Sequence, residues 1–108
     1  MSAIGKPIDW DNVPETAPAI FTFHTDPGHG WLEVTAADLA AVGLKATDFS
    51  RYSFRNEYAY FLEEDCDASK FVEAWRAKHG RTPEFRDAHQ ERTFIRNLRP
   101  IHSFGVNR

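Results

Sequence analysis

Cysteine is almost missing from this chain. A single thiol, Cys66, stands among 108 residues, so no internal disulfide can form and nothing suggests a secreted disulfide framework. Long apolar runs are missing too: no stretch approaches the ~20 residues that a membrane-spanning helix needs. The first residues show no basic segment followed by an apolar one, so no secretion signal is expected and the predicted location is cytoplasmic. Strong charge of one sign is also lacking. A formal net charge of -3 disfavours a nucleic-acid binder that works through bulk positive potential. Repeats, low-complexity tracts and linkers do not occur. A chain this long makes one domain, 1–108, with enough residues for a core and too few for a second.

Aromatic residues are what the chain has in abundance: nine Phe, three Tyr and three Trp. Each carries a large apolar area, so a small domain reaches adequate burial with few side chains, and some of that surface is available for binding. The charges are also unevenly placed. Glu57, Glu63, Glu64, Asp65 and Asp67 make the middle acidic, whereas Arg76, Lys78, Arg81, Arg86, Arg92, Arg96, Arg99 and Arg108 make the end basic. Such polarity suits a basic partner at one end and an acidic one at the other.

Proline, glycine and acids without a helical or strand period mark residues 1–17 as a loosely attached arm, pinned by Ile8, Trp10 and Val13. Residues 19–24, rich in β-formers, read as a strand, and 31–34 as its partner across a glycine-bearing turn. Thr35 with Asp38 three residues on makes a variant capping box, Val34 and Leu39 a hydrophobic staple, and Gly43 with Leu44 a Schellman ending; together they predict a helix over 36–42. A second hairpin is expected from 51–55 and 57–63, turning at Asn56. Asp67 is expected to cap a helix that runs to about His79 and stops at Gly80, with Cys66 packed on Phe71 as its staple. Thr82-Pro83 then looks like a helix start, and Phe85, Ala88, Arg92 and Ile95 keep helical spacing, so residues 81–108 are expected to be an extension with a third helix and, at 101–106, an edge strand or docked tail. The predicted fold class is α+β: an antiparallel sheet of two hairpins with two or three helices packed mainly on one face.

Chemistry concentrates in the stretch His24-Thr25-Asp26-Pro27-Gly28-His29-Gly30-Trp31-Leu32. Imidazole and carboxylate are ordinary ligands for zinc and other divalent ions, which makes His24, Asp26 and His29 metal candidates, with Asp65 a fourth donor. Asp before Pro-Gly is equally what a tight turn requires, because its side chain caps local backbone donors, and the turn reading ranks first. The run Glu63-Glu64-Asp65-Cys66-Asp67 reads first as acids complementing a helix start and second as an acidic patch. Acidic neighbours disfavour the thiolate, so Cys66 makes a poor nucleophile. Among the aromatics, Trp10, Trp31, Tyr52, Tyr58, Tyr60 and Trp75 divide between core and contact surface, and alternation alone does not assign the sides. Arginine interleaved with Phe85, Phe94 and Phe104 is a single-strand-binding composition, opposed here by the acidic middle.

Three motifs, the stretch 24–32, Tyr-Ser-Phe at 52–54 and Phe-Leu-Glu-Glu-Asp-Cys-Asp at 61–67, make the chain resemble an uncharacterised group of small proteins and domains from phages, plasmids and other mobile elements of proteobacteria. The resemblance spans about residues 20–75 and brings no catalytic residue with it. It implies a small non-enzymatic binding protein that blocks a host defence complex, of the anti-CRISPR or anti-restriction kind. The expected contact residues are Glu63, Glu64, Asp65, Asp67, Tyr58 and Tyr60, meeting a protein partner that handles nucleic acid; no membrane and no direct nucleic-acid contact are expected. No cofactor is expected on that reading. The alternative is a metal-binding domain or metal-dependent enzyme using His24, Asp26 and His29. An exposed strand edge would also permit a homodimer.

Overall fold

Six strands and two helices form an α+β fold, seen in a computed structural model that describes residues 20–102. The arm, with Ile8, Trp10 and Val13, and the residues from 103 on, with Phe104, lie outside the described residues. β1 (Ile20–Thr25) and β2 (Gly30–Val34) form the first hairpin, antiparallel with Phe23 opposite Leu32 and His24 opposite Trp31. β3 (Phe54–Arg55) and β4 (Tyr60–Glu63) form the second, shorter than the alternation predicts. Its turn is held by the Asn56 side chain, which accepts the backbone N–H groups of Tyr58 and Ala59 at 2.8 Å each. β4 pairs antiparallel with β2, and a two-residue strand β6 (Arg99–Pro100) closes the far edge on β3.

Helix α1 (Ala36–Ala41) carries the punctuation expected of it. Thr35 Oγ1 accepts the Asp38 N–H and the Asp38 carboxylate accepts the Thr35 N–H, a reciprocal box that satisfies two otherwise orphaned donors. At the other end the Leu44 N–H reaches the Leu39 carbonyl and the Gly43 N–H the Ala40 carbonyl, with Gly43 at φ +80°. That is the Schellman pattern, and glycine fits it because no Cβ opposes the left-handed backbone. Helix α2 (Ser69–His79) likewise stops on a left-handed glycine, Gly80 at φ +73°. Lys78 of α2 donates to the Ala41 carbonyl at the end of α1, tying the helices together.

Both helices cover one face of the sheet. Leu32, Val34, Leu39, Leu62, Phe71 and Trp75 are buried there, with Phe21 and Phe23 packed against them. Removing a Leu or Phe side chain of this kind from water stabilises by about 1.5–3 kcal/mol each. The opposite face carries a smaller cluster of Trp31, Ala59, Phe61 and Ile95, roofed by the 3₁₀ turn Phe94–Asn97 instead of a helix.

Three sequence expectations are corrected. Residues 84–89 are not helical but form strand β5 (Glu84–His89), parallel to β1 over six residue pairs from Ile20–Glu84 to Thr25–His89. The helix-like spacing of Phe85, Ala88 and Ile95 is overridden by a row of main-chain hydrogen bonds to a strand far upstream. Asp67 does not cap α2. One π-helical turn, Glu64–Ala68, precedes that helix, and Glu63 caps the turn by accepting the Cys66 N–H at 2.9 Å. Cys66 is exposed and does not staple Phe71, which is fully buried.

Candidate functional site

On the face that the helices leave open lies a cleft of about 370 Å³, lined by His29, Trp31, Arg51, Tyr52, Phe54, Glu63, Asp65, Cys66 and Arg96. Its floor is aromatic. Trp31 is the second residue of strand β2, and Phe54 from β3 meets it edge-on with ring centroids 6.4 Å apart. Tyr52, 53% exposed, stands at the rim with Arg51 beside its ring, the guanidinium carbon 5.4 Å from the centroid.

Asp26 builds one wall. It accepts the backbone N–H groups of Gly28 and His29 at 3.0 Å each, which is the Asx-type turn expected of Asp-Pro-Gly. Its carboxylate also takes both Nε and Nη2 of Arg96, the second at 2.8 Å, in a two-toothed ion pair spanning 70 positions of sequence. The Arg96 hydrogen bond is the main reason the Asp26 pKa falls well below the ordinary carboxylate range, with the Gly28, His29 and Thr93 backbone donors adding to it against the opposing effect of desolvation. The same guanidinium lies 5.5 Å from the Trp31 ring centroid, so Asp26 holds Arg96 over the floor of the cleft. Gly30 is required at the end of the turn: a Cβ there would sit 2.8 Å from the Phe23 ring and 2.9 Å from Glu64 Oε1.

Asp67 builds the other wall from inside. It is 2% exposed and accepts the Ser50 N–H and Oγ and the Ser53 hydroxyl, while Ser53 Oγ in turn accepts the Glu63 N–H. This buried chain joins the segment carrying Arg51, Tyr52 and Phe54 to the end of β4 and to the turn that carries Asp65 and Cys66. A fully satisfied network of this kind fixes a single arrangement.

Of the six expected contact residues, Glu64 and Asp65 are exposed, while Glu63 and Asp67 are buried and engaged within the protein. Glu63 keeps one oxygen, Oε2, 3.8 Å from His29 Nδ1 at the cleft wall. Tyr58 is 81% exposed at the tip of the second hairpin, and Tyr60 packs against the helix-side cluster; neither lines the cleft. The metal candidates each have other engagements. His24 Nε2 is 2.7 Å from Glu33 Oε1 and its ring packs edge-on against Phe61 and Phe94, Asp26 is taken by Arg96, and His29 leans on Trp31. Among the described residues no group of three or more His, Cys, Asp or Glu side chains is placed to hold a metal ion.

The Cys66 thiol has its pKa raised, first by desolvation, then by the hydrogen bond and charge of Glu63 and the charges of Asp67 and Asp65. A thiol held protonated is a poor nucleophile at neutral pH. What the arrangement offers chemically is an aromatic floor with carboxylates at its side, suited to holding a cation. Arg51, Phe54 and Arg96 line the cleft without being expected contact residues: in the sequence Arg96 counts only toward the basic end and Phe54 only toward the Tyr-Ser-Phe motif. The one available signal was the Tyr-Ser-Phe motif, whose Ser53 links Asp67 to the Glu63 N–H in the buried network. No helix among the described residues is long and apolar enough to cross a membrane. No family model, no curated protein and no solved structure matches this chain.

Proposed function

We propose that this protein is a non-enzymatic binding module whose contact site is the Trp31–Tyr52–Phe54 cleft and whose partner is a protein presenting a lysine or arginine side chain. The observation that carries this reading is the placing of Glu63 and Asp65 in one cleft with the exposed Tyr52 and half-buried Phe54 rings, while one of its two arginines, Arg96, is already neutralised by Asp26. An ammonium or guanidinium entering there gains ring contacts and a carboxylate partner together. Asp65, exposed on the cleft wall, carries the negative charge outward and would steer a basic surface toward the cleft. The motif resemblance to small mobile-element proteins supports a partner among host complexes that handle nucleic acid, whose grooves are positively charged.

The test is an array of immobilised peptides, each with a central Lys or Arg, beside matched peptides carrying Gln at that position. Selective retention on the cationic set, reduced several-fold in Tyr52→Ala and in Asp65→Asn, supports the reading. Equal retention on both sets, or retention indifferent to both substitutions, overturns it.

A further inference from the structure

The sheet ends on one side at β5, whose outer edge pairs with nothing among the described residues, since the strand order runs β5-β1-β2-β4-β3-β6. Along β5 five of six residues are exposed, and Phe85 is 44% exposed. Beside it an apolar groove of about 350 Å³ runs between the sheet and α2, lined by Phe23, Leu32, Val72 and Phe85 among others. An open strand next to an uncovered apolar groove is a template for another strand.

Which strand it takes is written in its own residues. The Gln90 N–H bonds the Thr25 carbonyl. In a parallel ladder the main-chain groups of alternate residues point to the same neighbour, so those at even positions face β1 and those of Phe85, Asp87 and His89 face outward. Two copies of β5 related by a two-fold axis pair antiparallel. Directly opposed residues must share a face of the sheet, so the axis passes through one residue. Centred on Phe85, the pairing places the two Phe85 residues opposite each other in a reciprocal pair of main-chain hydrogen bonds. It also sets Glu84 across from Arg86 of the second copy, twice. Asp87 N–H then meets the Pro83 carbonyl on either side, and the missing proline N–H ends the ladder there.

Neighbouring registers are penalised. Centring on Glu84, Arg86 or Asp87 puts two like charges face to face. Charges that normally protect an edge here exclude the wrong registers and favour one. We infer that a second copy of this chain docks on β5 through this Phe85-centred antiparallel pairing, giving a two-fold dimer with one continuous sheet. The dimer uses the edge remote from the cleft and stands or falls independently of the binding reading.

Sedimentation velocity of the full chain over a concentration series reads the equilibrium directly. A monomer–dimer equilibrium is expected, with Glu84→Arg and Arg86→Glu each weakening self-association by roughly tenfold. Mixing those two variants restores the dimer, because each strand then carries one sign of charge and its partner the other. The wild type being monomeric throughout, dimers that ignore both substitutions, or a mixture that does not recover each overturns the inference.

Discussion

The two faces of the sheet are closed by different physics. On one, α1 and α2 lay Leu39, Phe71 and Trp75 onto Leu32, Val34 and Leu62, and the contact is apolar throughout. On the other, a 3₁₀ turn drops Ile95 onto Trp31 and Phe61, and the turn is latched by the ion pair between Arg96 and Asp26. The helices cover their face except for the groove at the β5 edge. A latch covers only what lies under it, and the uncovered remainder is the cleft. Binding surface is therefore found where the fold spent least apolar area.

This contrast is tested most severely by truncating one buried residue on each side. Phe71 and Ile95 are both fully buried. Phe71→Ala leaves a large cavity between a rigid helix and the sheet and is expected to cost about 4 kcal/mol; Ile95→Ala lies under a short turn that can settle inward, and is expected to cost about 2 kcal/mol. Urea denaturation of the two variants measures both. Equal costs, or a larger one at Ile95, would mean that the latched face is as tightly built as the helical one.

Breaking the latch itself should have a smaller effect with a pH signature. Because the Asp26 carboxyl is depressed from its ordinary 3.8 in the folded state, its contribution is present in full above that value and is lost as pH falls below it. Asp26→Asn lacks that contribution at all pH values. The stability gap between wild type and variant is thus widest at neutral pH and narrows progressively below pH ~4. Thermal melts from pH 7 to pH 2 follow it. A gap that stays constant through the acid range would show that the Asp26 carboxyl is not depressed in the folded protein and that the latch adds no ionic contribution to stability.

The helical face is also the part that sequence made readable. Thr35, Asp38, Gly43 and Leu44 act within one turn of their partners, so their meaning lies in adjacent residues. The Asp-Pro-Gly bend is legible for the same reason. The latched face is built from distant pairs: Arg96 meets Asp26 across 70 positions, and Asp67 meets Ser50 across 17. Nothing near Asp67 separates a helix cap from a buried hub for two serines. Strand β5 was hidden by ambiguity, since Glu84-Phe85-Arg86-Asp87-Ala88-His89 satisfies neither helical nor alternating pattern strongly, and the choice falls to the open edge of β1.

The smallest effect sharpens the comparison most, because it reports the charge of the uncovered cleft without disturbing the fold. Cys66 is the only thiol in the chain and lines the cleft beside Glu63 and Asp65, with Arg51 and Arg96 also on the wall. Desolvation first, and the neighbouring carboxylates after it, disfavour the thiolate, so alkylation by iodoacetamide has its pH midpoint above the ordinary 9.0. Unfolding in urea should bring the midpoint back down, and Asp65→Asn should move it part of the way, since Asp65 ranks behind Glu63 and Asp67 among the charges acting on the thiol. A midpoint below 9.0 in the folded protein would mean that the arginines set the potential there. An incoming ammonium would then be repelled, and the cationic-ligand reading would fail on electrostatics before any partner was sought.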